Sequence, residues 1–313
     1  MRIIFLFFYL TIAIFAKVDL NKDLNSSNKV KLFLWEAKKG NKKFYLVGTM
    51  HLPYPKSSYI VAPKIKKIID KANFLHTEIP LGASSQMEAL KYFLRDDNKT
   101  LKDILPKTTY QKLQNYLFSI NPFIDIRGFD KFKIWSLSMM LGSLEYELKY
   151  KGYKPIDKDI YDYAVSKNKY GGSIESIKEQ MNIFDDLSLK EQIVMLDASI
   201  DSYIKYPNIT KKLLDYYYQG NQEGLEEIFK KSNDSLKVDK KLLNKLNNKL
   251  LFFRNKRMAK RIESYIKDNK IHIFAFGAMH FVGKRSIIDI LKHKGYIIRR
   301  VTLDEVLKDD KRD

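Results

Sequence analysis

The chain has no cysteine among its 313 residues, and that absence removes several chemistries at once. No disulfide can staple the fold, and no amino-terminal cysteine can carry a lipid. A chain of this length can still bury most of its apolar surface without such help. A Gly-x-Ser-x-Gly elbow is missing too, so nothing resembles a serine or cysteine triad. No Gly-rich loop of the phosphate-cradling kind occurs. Beyond residue 16, no run is long and apolar enough to span a bilayer.

What the chain has in excess is positive charge: 57 Lys and Arg against 37 Asp and Glu, a formal net charge of +20. The distribution argues against a nucleic-acid partner. The lysines are spread along the chain and mixed with acids, as in Asp309-Asp310-Lys311-Arg312, and clusters such as Lys64-Ile65-Lys66-Lys67 are short. No Gly-rich or aromatic-basic recognition motif accompanies them. The charge reads as solvated faces, with a weak attraction to anionic membrane surfaces as its residual consequence.

Residues 1–16 are set apart from the fold. Met1-Arg2 is a minimal positive start, residues 3–15 are apolar apart from Thr11, and Ala16 precedes the polar Lys17-Val18-Asp19. This reads as a signal peptide, which predicts an exported, periplasmic or secreted protein. Ile14 is a poor residue for the third position before a cut, so an uncleaved membrane anchor is the alternative. Residues 17–29 read as a flexible lead-in.

The most informative pattern occurs twice. Lys43-Phe44-Tyr45-Leu46-Val47 runs into Gly48-Thr49-Met50-His51, and Ile271-His272-Ile273-Phe274-Ala275-Phe276 runs into Gly277-Ala278-Met279-His280. Each is a β-branched and aromatic run that reads as a buried strand, broken at Gly, with a His three residues on. If the strands lie parallel and adjacent, both imidazoles arrive at the carboxyl edge of one sheet, where open α/β sheets place ligands.

Around these runs, residues 32–37 and 43–47 predict a hairpin across Lys38-Lys39-Gly40-Asn41. A helix is expected over residues 63–71, with Pro63 in its first turn, and a strand over residues 74–78, stopped by Pro80. Residues 84–267 are almost wholly helical in pattern. Thr100-x-x-Asp103, Ser176-x-x-Glu179 and Ser188-x-x-Glu191 mark helix starts. Residues 239–267 predict one long amphipathic helix with a bend. The end returns to strand at 271–276, helix at 284–294 and strand at 296–301. The fold class is therefore α/β (α+β): a central mixed sheet built from both chain ends, with a large helical insertion. Residues 30–313 form one domain.

Glu78 ends its strand as each His follows its own, so it can join His51 and His280 as a third ligand. Three protein ligands with one open position is the catalytic pattern for zinc-like ions, and such an ion would activate a water. The alternative is two turn-bonded histidines and a surface carboxylate. His76, two residues before Glu78, is either a further ligand or a packed core histidine. His272 and His293 read as structural. Arg254, on a largely apolar helix face, either has a carboxylate or oxyanion partner or faces solvent.

Several segments together resemble the TraB/PrgY/GumN family, which includes the Tiki proteins, within a broader group similar to erythromycin esterases and ChaN-like proteins. Leu34-Trp35 and the stretch Tyr45 to Pro53 resemble the family's opening, and Glu78 matches its strand-end acid. Gly171-Gly172-Ser173-Ile174-Glu175 with Gln180 resembles the central Leu-Glu-x-x-x-x-Gln segment. Arg254-Asn255 resembles the Arg-Asn element, and Gly277-Ala278-Met279-His280-Phe281-Val282-Gly283 the closing Gly-Ala-Gly-His-Leu-x-Gly, with Met279 in place of a common Gly.

The family is functionally broad. Tiki members are regarded as divalent-metal-dependent proteases, related enzymes hydrolyse esters, and other members act in pheromone shutdown or sit beside polysaccharide genes. The resemblance implies that His51, Glu78 and His280 hold a divalent ion (Mn, Co or Zn). It implies that Arg254 and Asn255 orient substrate or stabilise an oxyanion, and that Glu175 is a base or supports the ligands. Glu175 also reads as an ordinary acid at a helix entry. The expected function is an exported metal-dependent hydrolase of peptides or esters. A non-catalytic protein that sequesters a peptide, haem or metal at the same edge is the alternative, and a membrane-surface adaptor a third reading.

Overall fold

The computed structural model describes residues 30–235 and 238–308; the expected signal peptide and lead-in lie outside the described residues. The chain opens with β1 (Leu34–Lys39) and β2 (Lys42–Thr49), paired antiparallel across Gly40, whose φ of +58° suits glycine at a tight hairpin turn. Helix α1 (Ala62–Lys71) carries Pro63 in its first turn, and β3 (Phe74–Thr77) follows.

The insertion then runs through α2 (Ala83–Phe93), α3 (Leu101–Ile104), α4 (Lys107–Ile120), α5 (Ile134–Lys149) and α6 (Ile156–Ser166). It contributes one short strand, β4 (Tyr170–Ser173). Next come α7 (Ile177–Asp185), α8 (Leu189–Lys205), α9 (Ile209–Gln219) and α10 (Gln222–Ser235). The capping boxes at Thr100, Ser176 and Ser188 all form, each side chain answering the other's backbone N–H.

The long amphipathic stretch is divided into α11 (Lys240–Asn247) and α12 (Phe253–Tyr265) by a π-helical turn over Asn248–Phe252. That wide turn interrupts the regular helix within the stretch expected to be one long element. The chain closes with β5 (His272–Gly277), a 3-10 turn over Ala278–Phe281, α13 (Ile287–His293), β6 (Ile297–Arg300) and α14 (Leu303–Lys308). Helix α13 starts three residues later than its sequence pattern suggests, because Arg285 takes a positive φ of 62° and Ser286 caps the first turn.

The six strands order as β4-β3-β5-β2-β1-β6, a mixed sheet drawn from both chain ends. β2, β5, β3 and β4 run parallel to one another, with Val47 opposite Ala275 and Thr77 also opposite Ala275 from the other side. The central β5 is buried along almost its whole length, as a strand covered on both faces should be. Helices α4, α5 and α8 pack on a separate apolar cluster that includes Leu113, Leu117, Leu137 and Leu196. A third cluster joins α2, α5 and α7 through Phe93, Trp135 and Phe184. Among the described residues, no helix is long and apolar enough to cross a membrane.

Candidate functional site

Because β2, β5 and β3 are parallel neighbours, their carboxyl ends deliver His51, His280 and Glu78 to one sheet edge. Gly48 does not break its strand as the sequence pattern suggests but lies within β2, where it permits close packing: a Cβ there would lie 2.8 Å from Phe33 Cβ and 3.2 Å from Ala278 Cα. Its N–H donates to Phe33 O and its carbonyl accepts from Tyr217 Oη. Gly277 has a different role. A Cβ on Gly277 would lie 3.2 Å from His51 Nε2, 3.5 Å from Glu78 Oε2 and 3.8 Å from His280 Cδ2. The three groups thus converge over one bare Cα. Met279 sits in the right-handed 3-10 turn without a positive φ, so a side chain is accommodated where glycine is common.

Each imidazole is held from behind. His51 Nδ1 lies 2.9 Å from Asp157 Oδ2, and Asp157 stands in the first turn of α6, where the helix dipole favours a carboxylate. His280 Nδ1–H donates to Asn255 Oδ1 at 2.6 Å, while Asn255 Nδ2 donates to Arg285 O. In both cases Nε2 is the nitrogen left toward Glu78, with 3.7 Å between His280 Nε2 and Glu78 Oε2.

Burial alone would lower the His51 imidazole below its ordinary value. The Asp157 carboxylate, and behind it Glu78, overcome this and hold it up at about 9. With 47% of its side chain exposed, His51 feels less of the burial cost than a core histidine would. Burial likewise works against a charged Glu78, yet the Arg254 guanidinium foremost, then His280 and His51, hold its carboxyl well below the usual carboxylate range.

Arg254 is buried, not solvent-facing. Its NH2 donates to Glu78 Oε1 and, at 2.8 Å, to Glu175 Oε2; Nε reaches the same Glu175 oxygen at 2.9 Å. Its NH1 bonds the carbonyl of Leu250, in the π-helical turn one step upstream. The Glu175 Oε1 accepts from Arg257 NH2 at 3.0 Å, so both its oxygens are engaged. The pairing of β3 with β4 continues beyond both strands: Glu175 N–H donates to Glu78 O, which sets the two acids side by side. Gln180 Nε2 donates to Glu78 Oε1 at 2.7 Å, and the Gly277 N–H to Oε2 at 3.0 Å.

The sequence-predicted residues His51, Glu78, Glu175, Arg254, Asn255 and His280 therefore form one connected group. Two further members, Asp157 and the wide turn at Leu250, carry no periodicity or motif of their own. Asp157 reads in sequence as one more acid after a proline. His76 is turned away from the group. Its Nε2–H donates to His272 Nδ1 at 2.9 Å, and His272 Nε2–H to Asp268 Oδ1 at 2.8 Å. The His76 ring packs on Tyr265 and Phe274, and burial foremost, then His272, lowers it to about 4. β3 ends at Thr77, so strand alternation no longer ties Glu78 to the face of His76. His293 is exposed and bonds the carbonyl of Asp289.

A cavity of about 550 Å³ borders His51, Glu78, Gly277 and His280. Two buried oxygens at its border, Thr49 Oγ1 and Asp157 Oδ1, have no hydrogen-bond partner. Among the described residues, no group of three or more His, Asp or Glu is drawn together as a formed metal centre. The residues present nonetheless fit a divalent ion in two respects. The donor set is two Nε2 atoms and one carboxylate oxygen, each oriented by a second hydrogen bond. And they share a space that a single methyl on Gly277 would fill.

The family model described as TraB/PrgY/gumN family matches residues 33–300. The chain is 24% identical over 324 residues to Metalloprotease TIKI1 of Xenopus tropicalis, covering 90% of this chain and 63% of that protein. It is 25% identical over 321 residues to a Metalloprotease TIKI homolog of Nematostella vectensis, covering 88% and 68%. Against Metalloprotease TIKI1 of Homo sapiens the identity is 22% over 312 residues, covering 86% and 62%. The chain thus spans roughly two thirds of the length of these relatives. No solved structure matches.

Proposed function

The chain belongs to the TraB/PrgY/gumN family, and from that premise we propose that it is a metal-dependent hydrolase that cleaves a peptide bond. The observation that carries this reading is the convergence of His51 Nε2, Glu78 Oε2 and the His280 ring over Gly277. The names of the TIKI relatives, all metalloproteases, support it.

His51, His280 and Glu78 would hold the ion. A bound divalent ion supplies Lewis-acid polarisation of a carbonyl and lowers the pKa of a water. Asp157 and Asn255 fix the two imidazole planes through Nδ1, leaving each Nε2 as the donor. Arg254, itself clamped by Glu175, keeps Glu78 ionised in a buried setting. Those commitments make Arg254 and Asn255 positioning residues, since their donors are engaged by protein partners. Thr49 Oγ1 is the unpaired hydroxyl at the cavity border and can donate to a substrate carbonyl. We further read the protein as exported, on the strength of Met1-Arg2 and the apolar residues 3–15.

The test is the divalent-ion content and Co²⁺ or Mn²⁺ affinity of the purified protein beside a folded His51→Ala/His280→Ala variant, with peptide turnover measured on both. Near-stoichiometric binding and ion-dependent turnover, both lost in the variant, are expected. No ion binding under non-chelating conditions overturns the mechanism, and peptide binding without turnover makes the protein a sequestering one.

A further inference from the structure

The cavity at the sheet edge has a second kind of wall. Helices α2, α5 and α7 turn Phe93, Met139, Met140, Met181 and Phe184 toward it, and Leu81 and Leu250 complete this side. Phe93, Met181 and Phe184 are themselves almost fully buried in the apolar cluster behind. Five of the chain's nine methionines (Met50, Met139, Met140, Met181 and Met279) border this one space. Methionine is unbranched and polarisable, so a wall built from it moulds to many apolar shapes and specifies none of them uniquely.

Charged groups at the border are already engaged: Arg254 with Glu78 and Glu175, Asp157 with His51, and Lys158 with Asp162. Glu147 is likewise not free. A charged ligand side chain would therefore lose its water and find each of these charges already balanced by a protein partner. The volume, about 550 Å³, lies within the usual range of about 300–1,000 Å³ for ligand sites and exceeds the needs of one side chain.

Two atoms decide between a peptide and a plain hydrocarbon chain. Thr49 Oγ1 can donate to a carbonyl, and Asp157 Oδ1 can accept an N–H; both are buried and unpartnered. A peptide main chain brings both groups, whereas an alkyl chain brings neither.

We propose that this wall sets the substrate class: the cavity takes a peptide with bulky apolar side chains (Leu, Met or Phe alike) beside the reacting carbonyl, and rejects charged ones. The inference rests on the peptide-hydrolase reading and names its substrate.

The test separates the two. Fluorescence anisotropy of labelled six-residue peptides is measured on the full chain with a chelator present, so that binding is read without turnover. A Leu-Met-Phe peptide should bind at least about ten-fold tighter than the same peptide with Glu or Lys at those positions. Met139 is 38% exposed and Leu81 half-buried, so Met139→Lys and Leu81→Lys should fold. Each should weaken the apolar peptide by about ten-fold, while Met87→Lys, 56% exposed and not lining the cavity, leaves it unchanged. Equal binding of apolar and charged peptides, indifference to both cavity variants, or tighter binding of a decyl ester than of the peptide overturns the proposal. Selective binding with no turnover after ion is restored upholds the substrate wall and removes the hydrolase. Turnover without selectivity does the reverse.

Discussion

Gly277→Ala separates the site from the fold more cleanly than removal of any ligand. The added methyl meets His51 Nε2 at 3.2 Å, Glu78 Oε2 at 3.5 Å and His280 Cδ2 at 3.8 Å. Only the first is tighter than ordinary contact, and it falls on a side chain that is 47% exposed and able to move by a few tenths of an ångström. Gly277 has φ of −50°, so alanine adopts its backbone without strain. Loss of glycine's unfolded-state freedom offsets the crowding by about 0.4–1 kcal/mol. We expect Tm to move by less than about 4 °C. Yet the methyl occupies the space the three donors share, so divalent-ion affinity should fall by at least about ten-fold, the scale seen when ligand support is disturbed.

Gly48→Ala is the contrast. Its methyl would lie 2.8 Å from Phe33 Cβ in the core, and overpacking of that kind costs about 1–3 kcal/mol. Calorimetric titration with Co²⁺, run beside thermal melts followed by circular dichroism, reads both quantities. An alanine variant at Gly277 that binds the ion as tightly as the unmodified protein refutes the shared space. One that melts more than about 10 °C lower shows that Gly277 serves the core instead.

Glu175→Gln removes one carboxylate from a buried guanidinium and should cost about 3 kcal/mol in urea unfolding, with the Glu175 side chain fully buried and Arg254 nearly so. The ion affinity should rise with pH between 7 and 9, close to ten-fold per unit, because the His51 imidazole is held up at about 9 and must lose its proton before Nε2 can donate; titration at three pH values checks the slope. His76 behaves in the opposite sense. Its folded value, about 4, lies below the unfolded 6.5, so its contribution is complete above pH 6.5 and is lost as pH falls toward 4. That loss is up to about 3 kcal/mol, and a folded His76→Gln variant should lack this part of the acid slope in urea titrations.

The residues of the candidate site were the most legible part of the chain, since two strand-Gly-x-x-His units and a strand-end Glu are local patterns that survive without tertiary knowledge. Their parallel adjacency stood only as a condition, because two buried runs fix neither their order nor their direction in a sheet; the pairing of β2 with β5 supplies it. β4 escaped because a four-residue strand with two glycines shows no alternation inside a helical stretch. Its glycines answer to tertiary needs: Gly171 clears the His76 ring, 2.4 Å from where its Cβ would be, and Gly172 takes a φ of +102°. Asp157 was invisible for a related reason, because a carboxylate after Pro155 is what any helix start looks like. The burial of Arg254 turned on two acids, one of them 79 residues away in sequence. Nor could periodicity reveal that α2, α5 and α7 line a cavity, since a helix face over a cavity and one over a packed core share the same spacing.

The position of β5 has a consequence for how the protein comes into being. It lies between β3 and β2; without it, the β1–β2 hairpin and the β3–β4 pair have no strand joining them. His51 and His280 are separated by 229 residues of chain. At synthesis rates of about 5–20 residues per second, the first imidazole precedes the second by roughly 10–50 seconds. A nascent chain therefore has no assembled site, and one truncated anywhere in the helical insertion never acquires it. The site is withheld until the last strand but one is delivered.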